Sequence, residues 1–317
     1  VLGGIVSFIG FTLPSVIALI LFASLLTSFD IGNAGWLHGL KIVAVAVVAH
    51  AIVGMAKKLT PDVTRKTIAF LALAGTLLWQ TAFTQVGVIL LAAFLGFLLF
   101  QTHDHDQARS TRFPIAKAFS VFCLILFFAL LLVLPIMREF TTSAWVAMFD
   151  IFYRAGALVF GGGHVVLPLL EQEFVPSGWV TEGAFLAGYG ATQAVPGPLF
   201  TFAAYLGAVM KGWQGGLVAT IAVFLPAFLL IFGALPFWDD LRNNVKVRGA
   251  VMGVNAAVVG ILIAAFYHPI WTSAIVRPLD FVLAALLYSM LVFWKLPPWL
   301  VVITGAIGGS LIVYMIK

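Results

Sequence analysis

Charged residues are scarce in this chain. Only 9% of its 317 residues are Asp, Glu, Lys or Arg, against 62% of apolar type. A soluble domain is roughly 25% charged, so the chain lacks the groups to cover a water-facing surface. A soluble enzyme, a nucleic-acid-binding domain and a disordered segment are excluded on that ground. Cysteine is nearly absent too. Cys123 stands alone in an apolar run, which excludes an intramolecular disulfide framework and reads as a packed thiol. There is no G-x-x-x-x-G-K-[ST] phosphate loop, so ATP is not the direct energy source within this chain. No redox-cofactor motif is present, and no cofactor is expected. The chain starts at Val1 without an initiator Met or a signal-peptide n-region, and it reads as a fragment or a processed form.

Long apolar stretches are what the chain has instead. Runs such as 121–136 are apolar on every face, which excludes the alternation of a transmembrane barrel. A membrane-crossing helix needs about 20 such residues. Eleven candidate segments result: 5–28, 39–56, 67–83, 84–101, 115–136, 145–170, 184–209, 215–237, 249–266, 275–294 and 297–315. The prediction is an all-α polytopic membrane protein. The third and fourth segments nearly touch, as do the last two, which predicts tight hairpins. Glycine and proline interrupt the sixth and seventh.

The net charge of +5 follows the loops and is no nucleic-acid signal. If the loops alternate between two sides, one side holds Lys41, Arg138, Lys211, Arg277 and Lys317. The other holds Lys57, Lys58, Arg65, Lys66, Arg109, Arg112, Lys117, Arg242, Lys246, Arg248 and Lys295. Eleven against five places the second set in the cytoplasm and the C-terminus outside. Parity past the interrupted segments depends on whether both of them cross.

The chain also repeats itself. Gly3–Pro14 matches Gly215–Pro226 at six of twelve positions, at an offset of 212, and Gly39 then pairs with Gly249 after a two-residue slip. An odd number of segments separates the copies, so they should be inverted, an arrangement typical of transporters. The expected organisation is the remainder of a first repeat at 1–101, a linker with one segment at 102–144 and a second repeat at 145–317. The second copy has two segments before its Gly215, so about two are expected ahead of Val1.

Chemistry concentrates in the interrupted pair. The sixth segment carries Phe160-Gly161-Gly162-Gly163-His164, and the seventh Gln193-Ala194-Val195-Pro196-Gly197-Pro198. Three consecutive glycines cost a helix roughly 1 kcal/mol each. Broken backbone at membrane depth is tolerated only where it is buried in protein or lines a wet cavity. Pro198 suits the first position of a following half-helix, whose free amides at Leu199 and Phe200 would favour an anion. A proline-kinked pair packing for structure alone is the plainer alternative.

FGGGHVVLPLL, Gly178-Trp179, QAVPGPLFTFAAYLGA and the later GG…LP together resemble the chromate ion transporter family. The resemblance covers about 150–317 directly, and 3–100 as the first repeat's remainder. It implies a secondary transporter exporting chromate, with sulfate a chemical look-alike, in the bacterial inner membrane. Lipids would be the surroundings, nucleic acid would not be a partner, and a homo-oligomer is left open. It assigns functional positions to Arg154, Gly161, Gly162, Gly163, Gln193, Pro196, Gly197 and Pro198. His164, beside the glycines, is either a core histidine or a donor to substrate. No catalytic group is expected: a membrane-embedded enzyme would need a nucleophile, metal cluster or carboxylate pair at membrane depth.

The remaining groups are weighed against plainer roles. Arg154 lies deep in its segment with Asp150 four residues earlier, on one helical face. It reads as an ion pair or as an arginine alternating between Asp150 and a dianion. Glu171, Glu173 and Glu182 read as a solvated acidic loop, with a proton acceptor as the alternative. His103-Asp104-His105-Asp106 reads as a solvated linker, and no metal site is expected.

Overall fold

The computed structural model describes residues 2–28, 35–79, 81–100, 116–159, 163–238 and 244–316. Among them the regular structure is helical throughout. The helices are α1 (Leu2–Ser28), α2 (Gly35–Leu59), α3 (Val63–Leu78), α4 (Ala82–Leu99), α5 (Lys117–Phe140) and α6 (Ala144–Leu158). They continue as α7 (Val166–Phe174), α8 (Glu182–Thr192), α9 (Phe202–Ala234), α10 (Val245–Ala265), α11 (Pro278–Val292) and α12 (Pro298–Ile316). Among the described residues, six helical stretches are long and apolar enough to cross a membrane. The chain is a multi-pass α-helical membrane protein.

Its contacts divide into two compact units. One comprises Val1–Gly54, Val166–Thr220 and Leu262–Lys317; the other comprises Met55–Val165 and Ile221–Ile261. Each therefore draws on both halves of the sequence.

In the first unit, α1 buries Thr12, Ser15, Val16, Leu19, Ile20 and Ala23, a stripe at three- and four-residue spacing. Its other face exposes Val6, Ile9, Phe11, Ile17 and Leu21, apolar groups suited to lipid. Helices α2 and α12 cross closely, because a Cβ on Gly39 would lie 2.0 Å from the Gly305 carbonyl oxygen. Small residues permit that approach without a hydrophobic drive in lipid. The His38 ring sits 2.8 Å from the Asp280 carboxylate, joining α2 to α11. Asp280 also accepts the Val276 and Arg277 amides at the start of α11.

In the second unit, α5 and α6 form a hairpin around Cys123, Phe127, Leu134, Tyr153 and Ala157, with Leu229 of α9. Cys123 is buried, the packed thiol expected. The Tyr153 hydroxyl donates to the Phe127 carbonyl at 2.9 Å. Helices α4 and α10 meet as α2 and α12 do: a Cβ on Gly96 would lie 2.3 Å from the Gly249 carbonyl oxygen. Gly39 and Gly249, the pair matched in the repeat, thus each sit at a close helix crossing within their own unit. Asp62 starts α3, accepting the Arg65 amide at 2.9 Å.

The seventh candidate segment, 184–209, is not one broken helix crossing in a single direction. The Tyr205 hydroxyl donates to the Ala184 carbonyl at 2.8 Å, 21 residues back. Phe202 packs edge-on against Phe185 and Tyr189, with ring centroids 5.0 and 5.7 Å apart. The chain doubles back at 193–198, so α8 and the start of α9 form an antiparallel hairpin. It doubles back again at Lys211 and Gly212, whose backbones are non-helical. There a Cβ on Gly207 would lie 2.3 Å from the Gly215 carbonyl oxygen.

Candidate functional site

The tip of the α8–α9 hairpin is one polar feature of the first unit; the His38–Asp280 pair is another. Helix α8 starts at Thr181, whose hydroxyl accepts the Ala184 amide at 3.3 Å. It ends at Gln193. The chain then runs through Pro196, Gly197 and Pro198 to a 3-10 turn, Leu199–Thr201, that leads into α9. Pro198 is the extended residue before this turn rather than its first member, with φ −72° and ψ 140°. Its carbonyl accepts the Thr201 amide at 2.9 Å. First-turn N–H groups of a helix have no acceptor inside the helix and favour anions.

Gly197 has φ +149°, which side-chain-bearing residues rarely adopt, and a Cβ there would lie 2.7 Å from the Ser15 hydroxyl. Ser15 donates to the Pro196 carbonyl, which ties α1 to the tip. Thr12, one turn earlier on the same buried face, is 3% exposed, and its hydroxyl has no hydrogen-bond partner. The Gln193 amide nitrogen is likewise buried without a partner. Beside the tip lies an apolar cavity of about 340 Å³, lined by Leu19, Phe22, Trp36, Ala194, Val195 and Ile303 among others. Its apolar walls would strip an anion of water and return nothing. The tip, unlike this cavity, offers polar groups.

The second unit contains Arg154. Its Nε lies 3.0 and 3.1 Å from the two Asp150 oxygens, and Nη2 lies 2.8 Å from one of them. This is the ion pair expected from the four-residue spacing. A third member joins it: Arg138 Nη1 is 3.6 Å from the same carboxylate. Asp150 is fully buried, while the Arg154 and Arg138 side chains are 23% and 35% exposed. Two guanidiniums thus share one buried carboxylate.

Of the glycine break, Phe160, Gly161 and Gly162 lie outside the described residues. Gly163 and His164 begin a 3-10 turn ending at Val165, which packs with Ile89, Val254, Val258 and Ile261. Arg154, Gly163 and His164 thus belong to one unit, and Gln193, Pro196, Gly197 and Pro198 to the other. The tract His103–Asp106 also lies outside the described residues. Among those described, no group of His, Cys, Asp or Glu could hold a metal.

The acidic group is not a loop. Glu171 and Glu173 sit on α7, and Glu182 opens α8. Burial, with help from the Glu182 charge, pushes the Glu171 carboxyl up to about 7.

Thr12, Ser15 and Arg138 were not among the positions singled out from sequence. Thr12 and Ser15 had a readable signal: both flank Pro14, yet the matching positions beside Pro226 are Phe224 and Ala227. A polar residue where the other copy is apolar asks for a reason. The three-residue link between α5 and α6 could likewise have placed Arg138 beside Asp150.

A family model described as "Chromate transporter" matches residues 1–97 and 146–310. An uncharacterized transporter of Methanocaldococcus jannaschii is 26% identical over 235 residues, covering 72% of this chain and 56% of that protein. A chromate transport protein of Pseudomonas aeruginosa is 38% identical over 112 residues, 34% of this chain and 26% of that protein. A probable chromate transport protein of Synechococcus elongatus is 32% identical over 171 residues, 53% of this chain and 44% of that protein. The chain spans about half or less of the length of these relatives. No solved structure matches it.

Proposed function

The chain belongs to the chromate transporter family, and from that membership we propose that it exports chromate across the bacterial inner membrane as a secondary transporter, conferring chromate resistance. The match over 1–97 and 146–310 carries this reading. Relatives named as chromate transport proteins support it. An inside-negative potential favours outward movement of an anion by about 2.3 kcal/mol per charge per 100 mV. A dianion gains about twice that on leaving, unless other ions move with it.

The residues proposed to handle the anion are Arg154, Gly161, Gly162, Gly163, His164, Gln193, Pro196, Gly197 and Pro198. Arg154 supplies charge by exchanging Asp150 for substrate, and the hairpin tip supplies backbone amides. The fold is two inverted repeats, 1–101 and 145–317 around a linker at 102–144. Reciprocal sharing of the repeats between the units supports this, as do the close crossings at Gly39 and Gly249.

Sulfate is the second reading. It is a tetrahedral dianion like chromate, and backbone amides with a guanidinium suit both. Chromate uptake into inverted vesicles, with sulfate as competitor, tests the two together. Chromate accumulation above empty vesicles is expected. Sulfate accumulation that chromate does not inhibit would favour the second reading, and accumulation of neither would remove both.

A further inference from the structure

Among the described residues three side-chain polar atoms are buried without partners; one is the Gln172 oxygen on α7, and the two donors, on Thr12 and Gln193, belong to elements meeting at the hairpin tip. Thr12 is on α1, one turn from Ser15, whose hydroxyl holds the Pro196 carbonyl. Gln193 is the last residue before the tip, three positions from Pro196. Buried polar groups are nearly always satisfied, and an orphan asks for an explanation such as a ligand. The packing of α1 is otherwise tight here. Thr12 is 3% exposed and Ser15 1% exposed, and the Gly197 backbone leaves no room for a Cβ. A valine in place of Thr12 would fill the same volume and leave no orphan hydroxyl. Packing alone therefore gives no reason for threonine.

We infer that the Thr12 hydroxyl and the Gln193 amide, with the Leu199 amide that opens the turn, form an uncharged donor subsite for a tetrahedral oxyanion. This rests on the transport reading above and adds α1 to the site. The donors suit a divalent oxyanion because hydrogen bonds to a charged acceptor are roughly twice as strong as those between neutral groups. They carry no positive charge of their own, so the anion is held without a fixed counter-ion and can be released again. Ser15 is a positioning residue. It fixes the tip against α1, and its own hydroxyl is committed to Pro196.

The test sets stability against binding. For the full chain in detergent, Tm is measured with chromate, with sulfate and with chloride, and chromate affinity is measured by titration. Thr12→Val is isosteric and removes the orphan hydroxyl, so its Tm without anion should equal or exceed the parent's. Its chromate affinity should fall about 10- to 100-fold, the range for losing a hydrogen bond to a charged group. Thr12→Ser should recover most of that affinity. Gln193→Glu, which turns a donor toward the anion into a repelling charge, should abolish the chromate-dependent rise in Tm. If Thr12→Val keeps parental affinity, the subsite is overturned while the transport reading stands, and a trapped water explains the orphan. If the parent responds to neither chromate nor sulfate, the transport reading falls and the subsite with it. A Thr12→Val that loses Tm without anion also overturns the inference, because the hydroxyl then has a structural partner.

Discussion

Asp150 holds two arginines, and this changes what each substitution should do. Arg154→Ala leaves the buried carboxylate with Arg138 at 3.6 Å, so the charge is still compensated. Asp150→Asn takes the carboxylate from two guanidiniums at once. That leaves two like charges side by side without the buried carboxylate they share. Asp150→Asn should therefore lower membrane abundance sharply, while Arg154→Ala keeps abundance near parental and loses chromate transport. Quantitative blotting beside vesicle transport checks both. If Arg154→Ala/Asp150→Asn transports at the parental rate, Arg154 serves only as a structural partner. The Asp150–Arg154 pair was legible because four-residue spacing on a helix fixes proximity. Arg138 was not singled out, because its partner lies across a hairpin whose geometry only the packing of α5 on α6 determines.

Glu171 makes the stability of the fold depend on pH. Its folded value of about 7 lies above the ordinary 4.5. A raised carboxyl favours the folded state fully below about 4.5 and loses that contribution as pH rises through about 7. The span is worth at most about 3 kcal/mol. Parent Tm should fall between pH 5 and pH 8, and Glu171→Gln should flatten the fall. An unchanged slope in Glu171→Gln would place the titrating group elsewhere. Sequence reading made this group a solvated loop because three acids in twelve residues look hydrophilic. Helix α7 instead turns Glu171 partly inward, within reach of the Glu182 charge.

At the scale of elements, long helices were legible and reversals were not. The run 184–209 has the length and apolarity of a membrane crossing. Hydropathy records only burial in something apolar, and lipid and protein score alike. The packing of Phe202 on Phe185 and Tyr189 and the reach of Tyr205 to Ala184 turn that run back on itself. Proline and glycine at 196–198 marked the place, and Gly197 carries the geometry. Gly197→Ala meets two obstacles: φ +149° and the Ser15 hydroxyl 2.7 Å from its new Cβ. Strain of this kind costs about 1–3 kcal/mol. Gly197→Ala should lower Tm and chromate transport together. Gly178, also at positive φ but with open space around it, is the control. Gly178→Ala should cost some Tm and leave transport per folded molecule unchanged. Equal transport losses at both glycines would mean that strain alone, and not the tip, is being read.

For the whole molecule, the hairpin alters the count of crossings. Helix α8 has 11 residues, about 16 Å at 1.5 Å per residue, against a hydrocarbon core of about 30 Å. A segment that doubles back after 16 Å re-enters rather than crosses. If the seventh segment alone re-enters, everything after it changes sides. Arg242, Lys246 and Arg248 would then face outward, against the basic-residue rule. If the sixth segment re-enters as well, the two changes cancel. The eleven-to-five distribution of Lys and Arg survives intact, and only the stretch between α7 and α8 changes sides. The expected topology is nine crossings and two re-entrant hairpins, with 57–66 and 109–117 cytoplasmic and the C-terminus outside. The discriminating position is Ser177, in the exposed turn after α7. In a Cys123→Ser background, Ser177→Cys should react with a membrane-impermeant maleimide added to intact cells. Labelling only after permeabilisation would place that turn inside and restore two full crossings for the sixth and seventh segments. A cytoplasmic C-terminal tag combined with outside labelling at Ser177 would break the charge argument itself.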